Sequence, residues 1–143
     1  MNGLAFAGFW RRVAAFVLDE ALIMFVSLQF RTHFIADSLP HRPRQIQFFL
    51  GLAAFWPVVV LFRWCYFAAF ESSPLRATPG KLAAGLYVTD THGERLTFGR
   101  ATGRYFAKIL SALPLGVGFI MAGLTPKKQA LHDLITECLV LRK

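Results

Sequence analysis

Charge and cysteine are scarce in this chain, and acidic residues are scarcest among the charged groups. Of 143 residues only 17% are charged, and eight Asp and Glu stand against sixteen Lys and Arg. A soluble domain carries about 25% charged residues, so this composition argues against one. Cys65 and Cys138 are too few for a disulfide framework, and we expect both to be reduced and structural.

Apolar residues fill the chain instead, at 55% of the sequence. Two apolar runs, about residues 9–30 and 46–70, are each long enough to cross ~30 Å of hydrocarbon. Residues 98–125 hold a third run, but Pro114 and Gly116 break it and leave a second part that reaches only about half a bilayer. We predict a helical hairpin that enters and leaves on one face. A single third span is the alternative.

Several function classes lack the motifs that they require. The net charge of +8 would suit nucleic acid, but no zinc spacing or recognition motif accompanies it. Thr78 to Lys81 (TPGK) matches only the end of a phosphate loop, which predicts a turn with Lys81 near lipid phosphate. His132 and Asp133 have no further ligands at metal-binding spacing. No catalytic arrangement stands out, so we expect neither an enzyme nor a cofactor.

Basic residues indicate the orientation. The positive-inside rule places the side with more Lys and Arg in the cytoplasm. The loop of residues 31–45 holds three basic residues and Arg63 lies inside a span, whereas the other side holds twelve: Arg11, Arg12, Arg76, Lys81, Arg95, Arg100, Arg104, Lys108, Lys127, Lys128, Arg142 and Lys143. The sequence predicts a multi-pass bacterial inner (plasma) membrane protein with both termini and residues 71–97 and 126–143 in the cytoplasm.

Two short β-prone segments, residues 86–89 and 137–142, are predicted to pair beside the membrane. Neither is long enough to be stable alone. Asp133, just ahead of the second segment, would then anchor this sheet to the basic helix start around Arg100 or Arg104. The predicted fold is therefore a mainly α membrane domain spanning residues 1–143, with a small cytoplasmic β element.

Asp19 and Glu20 lie inside the first apolar run, where an ionised carboxylate is costly unless it faces protein, water or a cation. Arg12 is two turns away and its side chain leans away from Asp19, so a bridge within the helix is not expected. We predict Arg63 as the partner of Asp19 and Arg104 as the next choice, in an intramembrane charge cluster of Asp19, Glu20, Arg63, Arg104 and Lys108. This cluster serves either as a proton or cation relay or as a network that fixes helix register.

Three stretches together resemble one family. GFWRRVAAFVLDEALI, ATPGKLAAGLYVTDTHGERLTFGRATGR and KKQALHDLI resemble the RDD family of small bacterial membrane proteins, and its arginine and two aspartates match Arg12, Asp19 and Asp133. The chain departs from the family in having Thr136-Glu137 where a small-residue pair usually precedes the final strand. The resemblance implies a membrane domain, and cation/proton antiport has been proposed for some members.

Two functions remain open on this reading. Small size and few spans favour a non-enzymatic accessory subunit that binds a larger membrane protein. The intramembrane acids favour a cation/proton antiporter, assembled as a homo-oligomer, that uses Asp19 and Glu20. Anionic lipid headgroups or a protein partner would contact the basic residues near the membrane surface, namely Arg11, Lys81, Arg100, Lys127 and Lys128.

Overall fold

The computed structural model describes residues 5–31, 43–112 and 117–143 as a mainly helical protein with a small sheet. The elements are α1 (Phe9–Phe30), α2 (Arg44–Ser72), α3 (Pro79–Ala83), β1 (Leu86–Asp90), α4 (Phe98–Ala112), α5 (Val117–Leu124), α6 (Leu131–Ile135) and β2 (Cys138–Arg142). The predicted break at Pro114 and Gly116 and most of the predicted loop of residues 31–45 lie outside the described residues. The predicted fold class is confirmed.

Two helices in the described part are long and apolar enough to cross a membrane, namely α1 and residues Gly51–Ser72 of α2. The first matches the predicted span, and α2 extends two residues beyond the predicted 46–70 at each end. Large apolar side chains such as Val17, Met24 and Phe25 are exposed on α1. Lipid contact on this face is what a spanning helix requires.

Helices α4 and α5 pass the length and hydropathy test only as a pair, and their axes are bent by 103°. Gly118 of α5 is buried against the end of α4, where a Cβ atom would lie 2.7 Å from the Cα of Ser111. A separation this short excludes any side chain, so glycine permits the close packing of α5 on α4. The bent pair follows β1 and precedes β2 in the chain.

The two strands pair as predicted, and the sheet that they form is antiparallel, with Leu86 opposite Arg142 and Val88 opposite Val140. The N-terminal segment joins the free edge of β2, because Ala7 N–H donates to the carbonyl of Val140 at 2.9 Å. Both described ends of the chain therefore lie at the end of the molecule that holds the sheet, called the sheet end below. Its core consists of the buried residues Ala7, Ala15, Ala68, Leu86, Val88, Leu96, Ala101, Cys138 and Val140.

The departure from the family pattern, Thr136-Glu137, lies in the turn that leads into β2. Glu137 has a positive φ of 51°, a left-handed conformation that non-glycine residues adopt uncommonly. Its carboxylate accepts a hydrogen bond at 3.2 Å from Arg100, which also donates to Asp90 at 3.3 Å. A glycine at this position would adopt this conformation without strain, but it would remove this link between the sheet and α4.

Candidate functional site

Asp19 is buried in α1 and is bound by three neutral donors. Its Oδ1 accepts from the hydroxyl of Tyr66 at 2.8 Å and from the backbone N–H of Gly80 at 2.8 Å. Its Oδ2 accepts from the hydroxyl of Thr78 at 2.5 Å. A carboxylate with three hydrogen bonds is stabilised without a second charge.

The predicted partner of Asp19 was therefore wrong. Within the described residues, no Lys or Arg nitrogen comes within 4.0 Å of the Asp19 carboxylate, so neither Arg63 nor Arg104 pairs with it. The donors come from α2 and from the start of α3, a segment about sixty positions away in sequence. Asp19 thus fixes the loop between α2 and β1 onto α1.

Gly80 explains the TPGK motif in terms of packing. A Cβ atom at this position would lie 2.3 Å from the carbonyl oxygen of Ala15 and 2.7 Å from Cγ of Asp19. Only glycine lets the α3 backbone approach α1 closely enough to donate to the carboxylate. Thr78 caps α3 and Pro79 occupies its first turn, which is a usual helix start.

Glu20, the neighbour of Asp19, is paired with Arg63, the residue that was predicted to pair with Asp19. Arg63 of α2 donates two hydrogen bonds to the Glu20 carboxylate, at 2.5 and 2.6 Å. Both residues lie near the middle of their spans, yet 25% of the Glu20 side chain and 31% of the Arg63 side chain are exposed. The predicted five-residue cluster is thus divided, and this pair, called the mid-span pair below, faces outward.

A second group of charges lies between the helices at the sheet end. This ion network consists of Arg12, Glu71, Lys81, Arg104, Lys108 and Asp133. Arg104 is at its centre and donates to Glu71 at 2.6 Å and to Asp133 at 3.0 and 2.6 Å. Lys81 bonds the other oxygen of Glu71, and Lys108 lies 3.5 Å from that oxygen. Every carboxylate of the network is shared by at least two cations.

Asp133 connects three segments of the chain. Arg12 donates to its Oδ2, which also accepts from the backbone N–H of Ala130 at 3.1 Å. Burial raises the pKa of Asp133, but Arg104 and Arg12 outweigh burial and hold that pKa well below its usual range. The sequence predicted an anchor at Arg100 or Arg104, and the structure has Arg104. The arginine and the second aspartate of the family motif are thus an ion pair.

His132 is buried beside the network and is neutral. Its Nδ1 lies 3.1 Å from the hydroxyl of Ser111, and its Nε2 lies 3.4 Å from Oδ1 of Asp133. Burial lowers the pKa of His132 to about 3, despite the opposing effect of Asp133. Among the described residues no group of three or more His, Cys, Asp or Glu is placed to hold a metal ion.

A cavity of about 250 Å³ opens beside the ion network. Asp19 and four cations, Arg12, Lys81, Arg104 and Lys108, line its polar part. Its apolar lining includes Phe9, Val13, Phe16, Phe67, Phe119 and Ala122. The cavity is thus mostly apolar, with a few charged side chains in its lining.

The remaining predicted contact residues fall into two groups. Arg11, Lys127 and Lys128 are exposed at the sheet end, where a headgroup or a partner could reach them. Lys81 is not an exposed contact, because it is bonded to Glu71, and burial lowers its pKa to about 8. Arg100 is engaged by Asp90 and Glu137.

Sequence reasoning did not connect Glu71 with the ion network or Tyr66 with Asp19, and it treated Thr78 and Gly80 only as a turn. The Thr-Pro start followed by glycine is a helix-start signal that could have identified a short, closely packed helix. Glu71 directly follows an apolar run. From this position alone, a carboxylate at the membrane interface cannot be distinguished from one that is buried in the protein. Its burial depends on Lys81 and Arg104, which the fold brings together.

Comparison with known proteins gives one family and two relatives. The model described as the RDD family matches residues 6–137. The uncharacterized protein YxaI of Bacillus subtilis (strain 168) is 32% identical over 149 aligned positions, covering 96% of this chain and 97% of that protein. YteJ, an uncharacterized membrane protein of the same organism, is 29% identical over 146 positions, covering 97% of this chain and 82% of that protein. No solved structure matches the chain.

Proposed function

The chain is a membrane protein of the RDD family, and from that premise we propose that it is a non-enzymatic accessory subunit that binds a larger membrane protein through its spans. The mid-span pair carries this proposal. Glu20 and Arg63 are bonded to each other near mid-membrane, but a quarter to a third of each side chain remains exposed. Charged groups at that depth usually face protein or a water-filled space rather than lipid. A partner helix with a polar group at this depth would cover the pair.

The proposed topology has the sheet end in the bacterial cytoplasm and both termini there. It is supported by the pairing of β1 with β2 and of residues 5–7 with β2, which requires all three segments on one side. The twelve basic residues of that side support the cytoplasmic assignment. In this topology α4 and α5 form a re-entrant pair rather than a third crossing.

Cysteine labelling tests the topology. In a Cys65→Ser background, Lys143→Cys should resist a membrane-impermeant maleimide in intact spheroplasts and react after lysis. Cys138 is buried, so it contributes little background. Labelling of position 143 before lysis would contradict the re-entrant arrangement.

Site-specific photo-cross-linking in the native membrane tests the accessory role. Met24 is 71% exposed and lies one turn from Glu20 on α1, so a photoreactive amino acid there would face the proposed partner. We expect one protein adduct of defined mass, which the double variant Glu20→Gln/Arg63→Gln should lose. Arg95→Gln, an exposed charge outside the spans, is the matched control and should retain the adduct.

A probe at Phe106, which is 50% exposed on α4, provides the positional control. Equal adducts from positions 24 and 106 would indicate unspecific contact and contradict the proposal. An adduct with the mass of two copies would also contradict it and would favour the homo-oligomer of the second candidate.

That second candidate is an oligomeric cation/proton antiporter, and one observation favours it. Asp19 is a deeply placed carboxylate that lines the cavity and is bonded only to neutral donors, so its charge is available to a cation. Proteoliposomes under a pH gradient test this function. Sodium-, lithium- or potassium-dependent proton flux that Asp19→Asn abolishes and Glu94→Gln retains would replace the accessory role.

A further inference from the structure

The cavity beside the ion network has a composition that matches an amphiphile. Its lining is mostly apolar, with four phenylalanine rings and five aliphatic side chains, and four cationic side chains reach it together with Asp19 and His132. Ligand pockets are typically apolar with a few placed polar groups that fix the orientation of the ligand. Here every placed polar group except Asp19 and His132 is a cation, which selects an anionic head joined to an apolar body.

The charges around the cavity do not cancel. Four cations face three carboxylates, because Asp19 must be counted with Glu71 and Asp133, and His132 is neutral. Within the described part of the chain this leaves one positive charge in excess. An uncompensated charge in a low-dielectric site is unfavourable, so a ligand with one negative charge would complete the balance.

Among the four cations, Lys108 is the one whose contacts compensate its positive charge least. Its Nζ is 3.5 Å from Oε1 of Glu71, an oxygen that already accepts from Lys81, and it lies 4.1 Å above the ring of Phe67. By contrast, each arginine of the network donates three hydrogen bonds to protein oxygens. Lys108 lines the cavity and has donor capacity for a ligand there.

We propose that this cavity binds one anionic phospholipid, with its phosphodiester against Lys108 and the neighbouring cations and an acyl chain along Phe9, Phe16 and Phe119. Arg12 belongs to the first turn of α1, so this cation lies near the depth of lipid headgroups. Basic pockets between membrane helices bind anionic headgroups in this way. Phe16 lines the cavity and is 48% exposed, so the apolar lining extends to the lipid-facing surface and a lipid can enter from the side.

The lipid site is separate from the accessory role, because Glu20 and Arg63 do not line the cavity. It also makes a chemical distinction among lipids. A zwitterionic phospholipid brings an ammonium group toward four cations, whereas phosphatidylglycerol brings only the phosphodiester charge. Selectivity between these two headgroups is therefore the measurable property of the site.

Native mass spectrometry of the delipidated full chain in non-ionic detergent tests the site. We expect one bound phosphatidylglycerol and weaker binding of phosphatidylethanolamine with the same acyl chains. Lys108→Gln should lower the affinity for phosphatidylglycerol about tenfold, as expected for loss of one charge-assisted hydrogen bond. Lys127→Gln removes an exposed cation outside the cavity and should leave the affinity unchanged.

A second variant addresses the acyl chain and does not depend on the fold of Lys108→Gln. Phe16→Ser, at the exposed part of the apolar lining, should weaken binding of a long-chain phosphatidylglycerol and spare a dihexanoyl one. Thermal unfolding without lipid establishes that each variant is folded before titration. Three results would overturn the proposal: equal affinity for both headgroups, equal effects of Lys108→Gln and Lys127→Gln, or glycerol phosphate bound as tightly as the lipid.

Discussion

The ion network and the mid-span pair both join carboxylates to basic side chains, but they differ in how deeply these side chains are buried. In the network, the side chains of Glu71, Arg104 and Asp133 are at most 2% exposed. In the mid-span pair, Glu20 and Arg63 keep 25% and 31% of their side chains exposed. Network carboxylates are shared among several cations, whereas Glu20 has one bidentate partner. The contrast indicates that an enclosed network fixes the fold, and an exposed pair is available for contact with another molecule.

The sharpest test of this contrast is removal of the cation at the centre of the network. Arg104→Met keeps much of the volume but leaves Glu71 and Asp133 short of a cation, and breaking a buried ion pair costs about 3–5 kcal/mol. Thermal and denaturant unfolding in detergent would measure the loss. Arg100→Gln, which breaks two partly exposed pairs, should cost less than about 1 kcal/mol. Similar losses for both variants would show that enclosure is not the deciding property.

Gly80→Ala tests whether the polar site of Asp19 depends on backbone approach. The added methyl group would collide with the carbonyl of Ala15, and overpacking of this kind costs about 1–3 kcal/mol. Gly99→Ala in α4 is the matched control, since a Cβ atom there meets nothing within 4 Å, and it should not lower stability. Unchanged unfolding of Gly80→Ala would contradict the close contact between α1 and α3.

The network should also show a pH dependence that comes from its neutral histidine. The pKa of His132 falls from 6.5 to about 3 through burial, so between these values the unfolded chain binds a proton that the folded chain does not. Stability should therefore fall as pH drops through this window, by about 2 kcal/mol between neutral pH and pH 5.

His132→Gln should flatten this dependence between pH 7 and pH 5. The contribution of Asp133 is separable, because a carboxylate with a lowered pKa loses its stabilising effect only below about pH 5. Unfolding curves at several pH values, for parent and variant, provide the measurement. An unchanged slope in the variant would mean that another group titrates in this range.

The smallest effect is expected for joint removal of the mid-span pair. Glu20→Gln and Arg63→Gln should each destabilise the protein, because each leaves a lone charge. The double variant should lie within about 1 kcal/mol of the parent, since replacing a whole ion pair is often nearly neutral. Combining Asp19→Asn with Arg63→Gln should instead give losses that add within about 0.5 kcal/mol. A large interaction energy between Asp19→Asn and Arg63→Gln would instead support Arg63 as the partner of Asp19, as the sequence suggested.

Periodicity and local pattern predicted most of the architecture. The first span was predicted with the bounds that α1 has, and the two short strands pair as expected. These features depend on neighbouring residues or on the need of a short strand for a partner. The contact between Asp133 and Arg104 could also be predicted, because the pairing of β1 with β2 brings α4 close to α6.

The partners of Asp19 could not be predicted by matching charges. A carboxylate inside a span suggests a cation, but here two hydroxyls and one backbone N–H satisfy it. Every sequence contains many hydroxyl groups and backbone N–H groups that could donate to a carboxylate. Only the close approach of α3 to α1, which Gly80 permits, determines which of them bind Asp19. Arg63 and Glu20 were both placed in the predicted cluster, but their pairing depends on helix rotation, which hydropathy does not determine.

The pairing of Arg12 with Asp133 across 121 positions also sets an order of events during synthesis. The ribosome releases Arg12 early, whereas Asp133 begins the last eleven residues of the chain. Until those residues emerge, the first span carries an arginine without its carboxylate, and residues 5–7 have no strand to join. The first helix can insert early, but its sheet end closes only after Asp133 and the strand that follows it have been synthesised. A product that ends before Asp133 would therefore leave the guanidinium of Arg12 without its carboxylate and the N-terminal segment without its strand.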